Sequence, residues 1–138
     1  MLDYKKISET TAINYLESNN YDKFWFENTS SPNFFIRPVY CYGIFDDCQL
    51  KGIFILEDWD KFFEPHIFTD KSIRGIKLLK LLSNFLKNKI GIYGPLIGRI
   101  PRSMGISTTR AIKRFSKWLG MLPFKKDSRY YYVGFNKY

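Results

Sequence analysis

Phe63-Glu64-Pro65-His66-Ile67-Phe68-Thr69-Asp70-Lys71-Ser72-Ile73-Arg74-Gly75, continuing to Lys89, is the stretch on which the fold turns. Residues 63–68 read as a short extended segment and residues 69–72 as a turn. Apolar positions then fall at Ile73, Ile76, Leu79, Leu82 and Leu86, with Leu78, Leu81 and Phe85 widening the stripe. That spacing predicts a long helix over 72–89 with a face broad enough to lie on a sheet. Asp70 or Ser72 can cap its entry, where exposed backbone N–H groups attract anions. A strand feeding such a helix start is a place where a phosphate can be held.

Outward from this stretch, 138 residues are enough for one domain with a real core. Apolar residues make up 45% and aromatic residues 19%, which excludes a disordered chain. No window approaches a membrane span, and the start of the chain lacks an apolar signal core, so a cytoplasmic location is expected. Cys41 and Cys48 form no C-x-x-C pair, and with the single His66 they leave too few ligands for a zinc site. No P-loop motif is present.

Charge is segregated. Residues 1–70 hold 6 Lys/Arg and 12 Asp/Glu, whereas residues 71–138 hold 16 Lys/Arg and one acid, Asp127. Opposite signs kept apart in this way point to an anionic partner or an oppositely charged neighbour.

In chain order, residues 2–7 read as an edge strand and Ser8 as the entry to a first helix. Residues 21–28 read as an aromatic second helix, and 29–33 as a turn-rich linker. Residues 39–45 and 48–56 form a hairpin about Asp46-Asp47. Pairing Phe45 with Cys48 gathers Val39, Cys41, Phe45, Leu50, Phe54 and Leu56 on one face. It also separates the two cysteines by roughly 10 Å, too far for a disulfide. A short strand is expected within 90–100, then a basic loop. A second strong helix follows the long one, over 108–119, with Ala111, Ile112, Phe115, Trp118 and Leu119 on its apolar face and Gly120 as its stop. Residues 124–126 and 130–135 close the chain as a hairpin about Asp127-Ser128.

This order of elements resembles that of the GNAT (GCN5-related N-acetyltransferase) family along nearly the whole chain. Lys71-Ser72-Ile73-Arg74-Gly75 resembles the family's Arg-Gly acyl-CoA loop, and residues 111–120 resemble its late helix ending in Leu-Gly. The resemblance implies a single α/β (α+β) domain with a mixed, mostly antiparallel sheet flanked by helices. It further implies N-acyl transfer from acetyl-CoA to an amine, with Ile73, Arg74, Gly75, Ile76 and Lys77 at the cofactor's phosphates. The sequence departs from the family pattern at Lys77 and Leu79, where small residues are expected. It departs again at Phe115, where the family places the tyrosine that protonates the CoA thiolate. The chain is also similar to small phage-encoded GNAT-like proteins, some of them virion-associated, in which the CoA loop is eroded; this adds the virion to its expected locations.

Amine acylation needs a base, for which Glu57, Asp58 and Glu64 are available. Glu64 is the first choice, and His66 shares its strand face. All three acids read equally as rim carboxylates, and His66 as a packed core histidine. Tyr130, Tyr131 and Tyr132 can supply a phenol or pair across the last hairpin. Arg99, Arg102, Arg110, Lys113, Arg114 and Lys117 exceed what one cofactor needs. Two functions therefore stay open: an acyltransferase, or a catalytically silent module binding nucleic acid or phage virion proteins through this basic half.

Overall fold

The computed structural model describes residues 1–19, 37–73, 75–93, 95–102 and 105–135. Its elements are β1 (Leu2–Lys6), α1 (Glu9–Ser18), β2 (Val39–Asp46), β3 (Gln49–Asp58), β4 (Phe63–Thr69), a 3-10 turn (Lys71–Ile73), α2 (Ile76–Tyr93), β5 (Ile97–Pro101), α3 (Ile106–Trp118), β6 (Met121–Lys126) and β7 (Tyr130–Phe135). The expected helix and linker at 21–28 and 29–33 lie outside the described residues. No helix among the described residues is long and apolar enough to cross a membrane.

Two antiparallel sheets are built, in the orders β1-β2-β3-β4 and β5-β7-β6. The first is buried on both faces. Against one lies α1, through Ala12, Tyr15 and Leu16 on Cys41, Ile53, Ile55 and Phe68. Against the other lies α2, through Leu78, Leu82, Phe85 and Leu86 on Tyr42, Ile44, Phe54 and Leu56. Phe85 is the hub of that layer, its ring edge-on to Tyr4, Tyr42 and Phe54 at 4.9, 4.7 and 4.6 Å.

Several expectations shift. The β2–β3 hairpin turns at Asp47-Cys48, both with positive φ (47° and 73°), the signature of a type I′ turn. Phe45 therefore pairs with Leu50 rather than Cys48, and a bulge follows before Ile44 pairs with Gly52. Cys41 lies buried opposite Ile55, Cys48 is exposed in the turn, and both are free thiols. Residues 90–93 continue α2 instead of starting a strand. Ile76 and Trp118, placed on apolar stripes by spacing, are each 69% exposed.

One parallel bridge, Phe63 to Leu96, joins the sheets among the described residues, with Phe63 N–H donating to the Pro95 carbonyl at 2.8 Å. At the other end of β4, Asp70 N–H donates to Lys51 of β3. Backbone groups alternate along a strand, so Phe63, Pro65, Ile67 and Thr69 face β5 while Glu64, His66 and Phe68 pair with β3. Pro65 has no N–H and cannot supply the next donor. The two parallel strands start together at Phe63 and then separate.

Candidate functional site

Between the diverging strands lies a cleft. Its mouth is a cavity of about 350 Å³ lined by Ile67, Thr69, Gly75, Leu78, Leu79, Ile112 and Phe115. Its inner end, about 160 Å³, runs past Ile67, Ile112 and Phe115 to Pro65, Ser116, His66 and Arg99. Both α2 and α3 present their N-terminal ends on the side where β4 and β5 finish, because each helix returns against the strand before it.

At the mouth, Asp70 holds the 3-10 turn: Ser72 N–H donates to its carboxylate at 2.9 Å and Ile73 N–H to its carbonyl at 3.3 Å. Ile73 is thereby part of the core and its amide is used. The open amides lie one turn later than expected. Leu79 N–H is bonded to the Gly75 carbonyl, so the amides of Ile76 and Lys77 have no acceptor within the helix. Gly75 has no side chain to cap them, φ of 150°, and open space where a Cβ would point. The first turn carries no acid, and Lys77 is exposed. This end fits a phosphate-bearing arm lying along the cleft. Arg74 lies outside the described residues.

The inner end opens on the sheet face that carries α1. There Glu64, 2% exposed, meets Arg99 in a two-point ion pair: Nε to Oε2 at 2.7 Å and Nη2 to Oε1 at 2.8 Å. His66 Nε2 lies 3.0 Å from Glu57 Oε1 and 3.6 Å from Glu64 Oε1. Arg37 Nη1 donates to the other Glu57 oxygen at 3.4 Å and stacks 3.5 Å over Trp59. Arg99 lies 5.0 Å from the Trp59 ring and 5.1 Å from that of Tyr130. Burial acts to raise the Glu57 carboxyl, and the polar contacts around it, those of His66 foremost, together outweigh it and hold it below the usual carboxylate range. The Glu64 hydrogen bond raises Arg99 still further. Glu57, Glu64 and His66 each bring a ligand atom within 4.8 Å of the others, near enough to embrace one cation. The same oxygens already face two guanidinium groups, so the two negative charges are met within the protein.

Glu64 and His66 are thus brought together as expected, and Glu57 joins them. Asp58 is apart, accepting the Asp60 N–H in the β3–β4 turn at 2.8 Å. Arg99 is a partner of Glu64 and no part of the basic helix face. Arg102 is exposed and donates to the Asp127 carbonyl at 2.6 Å. Arg110, Arg114 and Lys117 project from α3 into solvent, while Lys113 sits 3.3 Å over Tyr131. Tyr132 donates to Asp127 at 2.6 Å, which holds its phenol proton more tightly. Arg37, Trp59 and Ser116 escaped sequence reasoning. Only Ser116 carried a local signal, a polar residue inside the Ile112, Phe115, Leu119 stripe.

No family model matches this sequence, and no curated protein resembles it in sequence. Its structure is similar to solved ones at low identity. The Campylobacter jejuni N-acetyltransferase PseH in complex with acetyl coenzyme A matches at 14% identity, TM-score 0.59, over 100% of both chains. An N-acetyltransferase from Staphylococcus aureus Mu50 matches at 16% identity, TM-score 0.65, over 98% of this chain and 97% of that one. The ribosomal-protein-S5-alanine acetyltransferase from Vibrio fischeri matches at 10% identity, TM-score 0.66, over 96% and 91%. With β4 and β5 forking beside the N-terminus of α2, this chain has the GNAT acyltransferase fold.

Proposed function

We propose that the chain is a GNAT-like N-acyltransferase that takes acetyl-CoA or a related acyl-CoA in the β4–β5 cleft. The observation that carries this reading is the open fork itself, with helix amides at its mouth and a titratable cluster at its inner end. The amides of Ile76 and Lys77, with the Lys77 charge, would hold the phosphates. Ile67 turns its backbone toward the separating edge, where an amide-bearing arm can pair as an added strand. Bound acyl-CoA supplies an activated acyl group as a thioester.

The base role moves from Glu64 to His66. Arg99 occupies both Glu64 oxygens, whereas His66 lines the channel and is held by Glu57. Titration calorimetry with acetyl-CoA tests the reading: saturable binding is expected, and no heat at millimolar cofactor would sink it.

Phe115 favours a second reading, a module that keeps the cleft without turnover and binds nucleic acid or virion proteins through Arg110, Arg114 and Lys117. Binding of duplex DNA that weakens steeply with salt is its expected sign. Affinity indifferent to salt would rule out the nucleic-acid version.

A further inference from the structure

We propose that the amine this chain acylates carries a negative charge close to its amino group, as a small amino acid or an aminoalkyl phosphate does, and that Arg99 and Arg37 bind that charge beside Trp59. The inference rests on the acyltransferase reading above and names its acceptor class.

At the inner end of the cleft the two signs of charge are not equally accessible. The Glu57 and Glu64 side chains are 2% and 3% exposed, those of Arg37 and Arg99 40% and 33%. An incoming molecule therefore meets guanidinium groups, with the carboxylates behind them. A guanidinium offers N–H donors on all three of its nitrogens. Glu64 takes the Nε–H and one Nη2–H of Arg99, and Glu57 takes one Nη1–H of Arg37. The other N–H groups of both forks make no hydrogen bond among the described residues.

The rings beside them are engaged as well. Arg37 lies 3.5 Å over the Trp59 ring, and Arg99 lies 5.0 Å from that ring and 5.1 Å from Tyr130. A polyamine would need a ring face or a carboxylate for its second ammonium, and here both already hold an arginine. A carboxylate or phosphate would instead find unused donors in a planar fork, the geometry that suits it.

The spacing sets the size of this acceptor. Arg99 Nη2 and His66 Nε2 approach the same Glu64 oxygen, at 2.8 and 3.6 Å, so they lie no farther apart than the sum of the two, 6.4 Å. Both residues line the inner end of the cleft. An amine delivered to His66 with its anion on Arg99 has the two groups only a few bonds apart. In the transfer the amine nitrogen bonds to the acyl carbon, the carbon–sulfur bond breaks with its electron pair on sulfur, and the amine's proton passes to His66. The anion is unchanged and holds the amine in place.

The test titrates four small amines into the full chain saturated with CoA, by calorimetry: alanine, 2-aminoethyl phosphate, alaninamide and 1,4-diaminobutane. Alanine or 2-aminoethyl phosphate is expected to bind about tenfold or more tightly than the two amines that lack an anion, and the tighter of the pair identifies the anion as carboxylate or phosphate. Arg37→Gln is expected to reduce that preference about tenfold, and Arg99→Lys, which keeps the charge and loses the fork, to do the same. Equal or tighter binding of alaninamide or 1,4-diaminobutane overturns the inference alone. So does the absence of binding by both anionic amines, or a preference that survives Arg37→Gln, whose side chain is exposed enough to change without loss of the fold. Failure of CoA to bind the wild-type chain overturns the reading beneath it as well.

Discussion

Arg99 meets the strictest demand of any single side chain at the inner end of the cleft. Glu64 is buried, and both of its oxygens depend on one guanidinium fork. Arg99→Met is therefore expected to cost about 3 kcal/mol, read by urea unfolding, because it strips a buried carboxylate of both guanidinium hydrogen bonds and leaves it only His66, 3.6 Å from Oε1. Arg99→Lys should recover only part of that, since an ammonium lacks the planar fork. Glu57 sets a pH dependence. Its folded value is depressed below an unfolded value of about 4.3. Its stabilising share is complete above the unfolded value and is lost as pH falls through the folded one. Glu57→Gln should accordingly flatten the acid limb of a stability–pH profile. The thiols separate by the same logic: burial pushes Cys41 up to about 12, while Cys48 is exposed in its turn. A thiol reagent near pH 8 should titrate one group in the native chain and two after unfolding.

Among the elements, α2 joins the core at its middle and the mouth of the cleft at its start. Its middle is the Phe85 hub, and Phe85→Ala should cost about 3–5 kcal/mol by lost transfer energy and the cavity left among Tyr4, Tyr42 and Phe54. Its first turn carries no acid and is the end that would face the phosphates on the proposed reading. Lys77→Glu there should leave the thermal midpoint unchanged while lowering acetyl-CoA affinity about tenfold, measured by calorimetry. The helix, its apolar face and the strand before it were legible because side-chain periodicity is a local property. Its start was not. Asp70 diverts the first amides into a 3-10 turn, so the helix begins at Ile76 and leaves that residue in solvent. The hairpin register was misread for a related reason. Asp47 and Cys48 adopt positive φ without a glycine to announce it.

Across the whole molecule, the charge segregation acquires a partial physical account. The acidic first half builds the first sheet and the basic second half the other, and the fork is stapled where they meet, Glu64 to Arg99. Asp127, the one acid after residue 71, holds the β6–β7 turn through the Arg129 and Tyr130 amides and the Tyr132 hydroxyl. On the proposed reading, ligand in the cleft would bridge both sheets and bind only the folded chain. Acetyl-CoA at about 100 times its dissociation constant should then add about 2.7 kcal/mol to unfolding stability. A thermal melt with and without acetyl-CoA measures this.

The sequence by itself determined the order of the described helices and strands, and through it the fold they resemble. It also determined, through Pro65 and Phe115, two local departures that hold wherever those residues fall: a missing N–H and a missing hydroxyl. Tertiary structure alone decided that Pro65 faces β5 and opens a fork. It alone decided that Glu64 is bound to Arg99, 35 positions away, and that Ser116 looks into the cleft. The physical reason is range. Periodicity and turn chemistry act between near neighbours, whereas an ion pair or a cavity exists only once distant elements are packed against each other.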